Sequence, residues 1–315
     1  MLARIAHELF WLGRYVARAE HTARMLDGVF HADLQSSYED TRDVQLGWFS
    51  LLAILGARQK GVTREEALGR LTLDPSEPAS LVNCVAQARE SARTLRDVIS
   101  ADVWEALNTT HLVLTGPDVQ AQMSAGPASV YRYVKERSAL FWGLTARTML
   151  RDEAASFLEA GGRIEAADML LRMLRVALPA GEDNEIRRDG QARALLAAAG
   201  GFQAFRRAVP APPNAVPAVR FLLYERAYPD SVAAAVASAE RALEVSDSNP
   251  RNSAPVLRLS RLRAELEFRR RDDTDDADLI GLCEQVQREL ALVDIDIAGR
   301  YFVGATATAA TEVGA

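Results

Sequence analysis

Carboxylates and arginines at helical spacing are the residues of this 315-residue chain that could do chemistry. Glu165 and Asp168 lie three residues apart, so on a helix their carboxylates share one face, and Arg172 follows one turn beyond Asp168. Two such carboxylates can act as a general acid–base pair or as metal ligands. A bundle metal site normally adds a histidine three residues after a glutamate, and none lies near Glu165. We therefore expect no metal and no cofactor, and Glu20, Glu165 and Asp168 are the candidate acid–base groups.

A second candidate set lies on one arc of the first predicted helix. At 100° per residue, the residues of this arc point away from the centre of the apolar stripe; they are Trp11, Arg14, Tyr15, Arg18 and Thr22. We expect the arc to be exposed and to contact a partner or a ligand. The candidate interface or ligand-binding residues are Trp11, Arg14, Tyr15, Arg18, Arg24, Arg151, Asp152 and Arg172. The alternative is that charges such as Glu20 and Arg24 form only surface ion pairs, worth a few tenths of a kcal/mol.

Other catalytic signatures are missing from the sequence. It contains no glycine-rich phosphate loop, no Gly-x-Ser-x-Gly turn and no cysteine that spacing pairs with a histidine. The four histidines do not have zinc spacing. Cys84 and Cys283 lie far apart, as expected for a protein of the reducing cytosol.

Charge and hydropathy exclude two classes of partner. The chain has 37 Lys+Arg against 43 Asp+Glu and a formal net charge of −6, which argues against a nucleic-acid-binding surface. No apolar run reaches about 18 residues, so we expect no membrane span. We predict a soluble, cytoplasmic protein.

Hydrophobic residues recur at three- and four-residue steps along most of the chain, which predicts amphipathic helices. The helical segments are predicted at 2–31, 44–57, 81–99, 130–178, 193–206, 231–243, 256–270 and 279–301. The segment 130–178 is too long for a typical globular helix, so we expect a break near residues 149–152. No segment alternates apolar and polar residues as a half-buried strand does, so the fold class is all-α. Turn residues predict loops at 179–190, 210–217, 246–255 and 271–278, and a disordered tail at 304–315.

The two halves of the chain resemble each other in sequence. Three blocks recur in the same order: 9–13 with 157–161, 51–56 with 195–200, and 71–81 with 222–232, the last pairing Ser80 with Ser231. This order predicts a tandem duplication of about 150 residues, with copies at 1–147 and 148–303. We expect a helical bundle in which the copies share a core about a pseudo-twofold axis, or else sit side by side.

Residues 10–24, FWLGRYVARAEHTAR, resemble the opening of the bacterial alpha-E domain family. Further matches lie at 89–93, 104–108, 148–153 and 220–223, and the resemblance extends to about residue 301 as a single domain. It implies an all-helical fold. Because such proteins are encoded beside or fused to circularly permuted ATP-grasp ligases, often with transglutaminase-like peptidases, it also implies a part in an amide-forming or peptide-tailoring system.

Each half departs from the family pattern, Gly-Arg-Tyr-x-Glu-Arg-Ala followed by Glu or Asp. The first half has Ala17 in the place of the glutamate but keeps Arg18. The second half keeps Glu165 but has Gly162, Arg163 and Ala166 where Arg, Tyr and Arg are expected. One interpretation is mutual completion, in which Arg18 meets Glu165 across the pseudo-axis. The other is loss of the site, which would leave a scaffold.

Three functions remain open at this point. The first is a non-catalytic helical accessory protein of a circularly permuted ATP-grasp ligase, with the arginine–aromatic arc docking the ligase or an acidic ligand. The second is an independent transferase or hydrolase that uses Glu20, Glu165 and Asp168 as acid–base groups. The third is a homo-oligomeric structural protein. The broken glutamate pattern and the missing phosphate loop favour the first.

Overall fold

The computed structural model describes residues 1–36, 48–56, 63–177, 185–271 and 279–304. Within these ranges the regular structure consists of helices, with no strand, which confirms the all-α prediction. The helices of the first half are α1 (Ala3–Ser36), α2 (Trp48–Ile54), α3 (Arg64–Leu73), α4 (Leu81–Thr94), α5 (Ala101–Leu114), α6 (Asp118–Ala125) and α7 (Ala128–Thr148). Those of the second half are α8 (Glu153–Ala177), α9 (Glu185–Ala198), α10 (Phe202–Ala208), α11 (Ala215–Tyr224), α12 (Val232–Ser246), α13 (Ala254–Arg271) and α14 (Leu279–Tyr301).

Several predicted boundaries agree with these helices. α14 has the predicted bounds, and the long central segment breaks between Thr148 and Glu153, as expected. Of the predicted helix at 44–57, the structure describes α2; residues 37–47 and 57–62 lie outside the described part. Residues 272–278 of the turn predicted at 271–278, and nearly all of the predicted tail, from residue 305, lie outside it as well.

Other boundaries were wrong for reasons of local geometry. The predicted helix at 193–206 is two helices, because Gly200 adopts a left-handed φ of 73° that ends α9. The predicted loop at 179–190 is helical from Glu185, and the proline-dense loop at 210–217 ends where α11 begins at Ala215. Pro217 is tolerated there because the first turn of a helix leaves its N–H groups without helical partners.

The two longest segments, α1 and α8, form the centre of the molecule. α1 packs against α4, α7 and α9, and α8 packs against α12, α14 and α2. The short helices α2 and α9 thus each contact the long helix of the other half. The buried side chains form one continuous core across both halves. None of the helices in the described ranges is long and apolar enough to cross a membrane.

Backbone contact between α1 and α8 is set by two glycines. A Cβ atom on Gly13 would lie 2.0 Å from the carbonyl oxygen of Leu158, and one on Gly161 would lie 1.9 Å from the carbonyl oxygen of Phe10. No real Cβ can occupy either position, so both residues must be glycine at this separation of the helices. The contact is reciprocal, because Gly13 and Phe10 pair in the predicted alignment with Gly161 and Leu158.

Local geometry agrees with the predicted duplication at further positions. Ser80 caps α4 by accepting from the Asn83 N–H at 3.1 Å, and Ser231 caps α12 by accepting from the Ala234 N–H at 3.1 Å. Each hydroxyl also donates to a carbonyl six residues earlier, at 2.6 and 2.7 Å. Gly56 has a left-handed φ of 77°, close to that of its aligned partner Gly200. Duplication itself stays a prediction, which these parallels support.

Replacing Gly161 by alanine should destabilise the fold by about 2–4 kcal/mol, because the new methyl group would push α8 off the backbone of α1. The matched control is Gly143→Ala in α7, where nothing lies within 4 Å of the added Cβ. The control should be neutral or stabilising by up to about 1 kcal/mol. Urea unfolding of both variants measures this, and equal stabilities would show that the helices are not in backbone contact.

Candidate functional site

Glu165 lies at the centre of a buried cluster of charges that joins three helices. Its side chain on α8 is 1% exposed, and it accepts from Arg14 Nε at 2.7 Å and from Arg18 Nε at 2.6 Å. Arg14 Nη1 also donates to Asp294 on α14, at 2.6 Å. The geometry follows from the glycine contact, because Glu165 lies one helical turn after Gly161 and both arginines lie on the facing side of α1. Of the two interpretations of the split motif, the structure shows the contact between Arg18 and Glu165.

The arginines keep Glu165 ionised. Burial alone would raise the pKa of this carboxyl, but the charges of Arg14 and Arg18 outweigh burial and lower the pKa to about 2. Burial raises the pKa of Asp294 above its ordinary value, because the positive charge of Arg14 offsets only part of the effect of burial. Each Glu165 oxygen accepts a hydrogen bond from an arginine, and at neutral pH the ionised carboxylate has no proton to donate.

The Arg18–Glu165 pair lies on the wall of a polar cavity of about 800 Å³. The loop that precedes α4 supplies Asp74 and Glu77, and α3 supplies Arg70. Arg70 Nε donates to Glu77 at 2.6 Å, which ties the loop to α3. Arg172 completes the charged wall from α8. The cavity thus lies between the two halves and carries charges of both signs.

The three candidate acid–base groups do not meet in one site. Asp168 accepts from Arg172 Nε at 2.8 Å and from Gln287 Nε2 at 2.8 Å. Glu20 accepts from Arg24 Nη2 at 2.6 Å and lines a second cavity of about 540 Å³. Among the described residues no hydrogen bond joins Glu20 to either of the other two carboxylates, and no group of three His, Cys, Asp or Glu side chains is placed to hold a metal ion.

The predicted exposure of the arginine–aromatic arc was wrong. Arg14 is only 7% exposed, since α8 and α14 cover it, and Thr22 is fully buried. Trp11 and Tyr15 are half-buried, with ring centroids 5.5 Å apart, and the Arg14 guanidinium lies 5.2 Å from the Trp11 ring. The error arose because the angular positions on one helix were taken to mean that polar residues face solvent. In the structure, the buried carboxylate of Glu165 pairs with Arg14 and Arg18 instead.

The remaining candidates have separate positions. Asp152 caps the start of α8 by accepting from the Ala154 N–H at 3.0 Å, so this residue has a structural role. Arg151 is exposed and lines the second cavity. Sequence reasoning missed Arg70, Glu77 and Asp294, because no spacing pattern marked these charges as part of a site.

The two cavities differ at the positions where each half departs from the family pattern. Arg18 and Glu165 line the first cavity. Their counterparts in the predicted alignment, Ala166 and Ala17, both line the second. One complete Arg–Glu pair therefore remains, formed between the halves, and the second cavity has two methyl groups in its place.

A double-mutant cycle at Arg18 and Glu165 should show strong coupling. Glu165→Ala leaves Arg18 without a carboxylate and Arg14 with Asp294 alone, and it should cost about 3–5 kcal/mol. The coupling energy with Arg18→Ala should be about 1–3 kcal/mol. The matched cycle uses Arg163 and Glu159 on the same helix, a more exposed pair 3.9 Å apart, whose coupling should stay below about 0.5 kcal/mol. Additive effects at Arg18 and Glu165 would contradict the buried pair.

Acid should remove the contribution of Glu165. With a folded pKa of about 2 against an ordinary value of 4.5, its stabilisation is complete above pH 4.5 and is lost as the pH falls towards 2. The difference in unfolding free energy between the natural chain and Glu165→Gln should therefore shrink from pH 7 to pH 3. Urea titrations of both proteins at the two pH values measure it. A constant difference would refute the lowered pKa.

Comparison with known proteins places these residues in a family. A family model described as a predicted alpha-helical domain with a conserved ER motif matches residues 1–302. Uncharacterised proteins of Mycobacterium bovis and Mycobacterium tuberculosis are each 28% identical over 195 residues, covering 56% of this chain and 22% of the relative. The chain thus spans about a fifth of the length of these relatives. No solved structure matches it. Because the family model covers nearly the whole chain, the protein belongs to the Alpha-E family.

Proposed function

We propose that this chain is a non-catalytic helical accessory protein of a circularly permuted ATP-grasp ligase, in a system that also uses a transglutaminase-like protein. The observation that carries the non-catalytic role is the state of Glu165. Two arginines hold it as a carboxylate with a pKa of about 2 and occupy both its oxygens. A general acid or base near neutral pH needs a pKa close to the working pH.

The acid–base alternative also lacks a shared site. Glu20 and Glu165 line different cavities, and Asp168 is held by Arg172 and Gln287. A general acid and base that act on one substrate must both reach it within hydrogen-bond distance. This separation favours binding over catalysis.

The cysteines give no support to nucleophilic catalysis. Cys84 and Cys283 are both buried, and burial raises the pKa of each thiol to about 12. Reactive cysteines instead have lowered pKa values, because the thiolate is the nucleophile.

The proposed partner comes from the family resemblance, and the relatives support a modular role. In the mycobacterial proteins the matching segment is 22% of a much longer chain, so there an Alpha-E-like segment lies beside other sequence. A domain that accompanies others in this way fits an accessory function better than an independent enzyme. A ligase partner of this kind would place the protein in the cytoplasm.

Docking through Arg14 is ruled out by its burial, and the half-buried rings of Trp11 and Tyr15 are the better interface candidates. Aromatic side chains that are partly covered in the free protein are typical anchors of protein interfaces. Trp11 also lies beside a guanidinium, Arg14, which holds the ring in place.

Affinity capture from the native cell tests both the partner and the surface. The tagged chain should recover an ATP-grasp ligase, and Trp11→Ala should reduce that recovery at least about tenfold, as the loss of an aromatic anchor does. The matched control is Trp104→Ala on α5, since Trp104 is also half-buried beside two guanidinium groups, those of Arg89 and Arg96.

Four outcomes are informative. Loss of the ligase with Trp11→Ala alone supports the proposal and its docking surface. Equal loss in both variants would remove the Trp11 surface from the proposal. Absence of any ATP-grasp ligase would overturn the partner, and turnover of a substrate by the purified chain would overturn the non-catalytic role.

A further inference from the structure

Three arginines around the larger cavity are held in the same way. Each donates its Nε to a carboxylate, which fixes the direction of the guanidinium plane: Arg18 to Glu165 at 2.6 Å, Arg70 to Glu77 at 2.6 Å, and Arg172 to Asp168 at 2.8 Å. Nη2 of Arg70 and of Arg172 contacts the same carboxylate as its Nε, so at least one outer nitrogen of each of the three arginines is left for other acceptors.

The outer nitrogens have donors to spare. Neither Nη of Arg18 has a hydrogen-bond partner among the described residues, and the same holds for Nη1 of Arg70 and of Arg172. The three side chains are 24%, 29% and 40% exposed, so they border the cavity and are partly shielded from water. Charged donors in such a place gain more from an acceptor than fully solvated ones do.

We propose that this cavity is a binding site for a compact anion, a carboxylate or phosphate group held by Arg18, Arg70 and Arg172. The guanidinium fork matches the planar or tetrahedral oxygens of these groups and can donate two parallel hydrogen bonds to them. A volume of about 800 Å³ leaves room for the rest of a small molecule or for a peptide end. The site lies within one chain, so the inference does not depend on the proposed ligase partner.

The charge balance sets the character of the site. Three acidic residues, Asp74, Glu77 and Glu165, line the cavity beside the three arginines, so net attraction is small. Asp74 Oδ1 is occupied by the N–H and hydroxyl of Ser76, at 2.8 and 2.6 Å. Recognition must therefore come from directed hydrogen bonds, which favours anions with paired oxygens over chloride.

The second cavity lacks the Arg–Glu pair that lies on the wall of the first. Ala17 and Ala166 stand where the buried Glu165 and Arg18 stand in the first, and Arg163 there already donates to the Pro229 carbonyl at 3.3 Å. We therefore expect one anion per chain.

Isothermal titration calorimetry of the full chain tests the site, with inorganic phosphate and glutarate as separate probes at constant ionic strength. We expect a Kd of about 1 mM or tighter for at least one probe, with a stoichiometry of one. Arg172→Ala should weaken it at least tenfold. Arg24→Ala is the matched control, because Arg24 pairs with Glu20 one turn away on α1 as Arg172 does with Asp168 on α8. It should leave Kd unchanged.

A second variant and the two probes distinguish the possible results. Arg70→Ala, on α3 rather than α8, gives a second variant if Arg172→Ala unfolds. Binding of phosphate alone would identify a phosphate ligand, and binding of glutarate alone a carboxylate ligand. Absence of binding to the folded natural chain, or equal weakening by Arg24→Ala, would overturn the proposal. Failure to capture a ligase would leave these titrations unaffected.

Discussion

Contact between the backbones of α1 and α8 is the constraint on which the rest of the structure depends. Gly13 and Gly161 leave no space for a Cβ atom, and each faces a carbonyl oxygen of the other helix. Because the two helices lie this close, charged side chains near each glycine reach the opposite helix. Arg14 and Arg18 consequently meet Glu165 in the interior, where a longer distance between the helices would have left them in solvent.

The buried charge cluster is a consequence of that contact and adds to it. Removing Arg14 and Glu165 from water carries a large desolvation cost, which only close pairing offsets. Arg14 shares its donors between Glu165 and Asp294, so the cluster also ties α14 to the central pair. The helices α2 and α9 add to the same interface, because α2 packs on α8 and α9 packs on α1. Neither half could therefore keep this arrangement alone.

The proposed function rests on a difference between the two cavities. One has an Arg–Glu pair formed from both halves, and each of its three arginines keeps at least one outer nitrogen without a partner among the described residues. The other has alanines at the aligned positions. A carboxylate held between guanidiniums orients them and stays ionised at neutral pH, which supports the proposal that the chain holds an anionic group for a partner enzyme.

Helical periodicity and the turn residues were enough to predict the all-α class, the break before α8 and the bounds of α14, because these depend on local spacing. The departures from the family pattern, Ala17 and Ala166, were also visible in the sequence, but they left two interpretations open, a contact between Arg18 and Glu165 or loss of the site. Burial of Arg14, the role of Asp294 and the recruitment of Arg70 and Glu77 were decided only by the tertiary structure. They depend on which helices pack against α1 and how closely, a long-range property that no spacing along one helix contains.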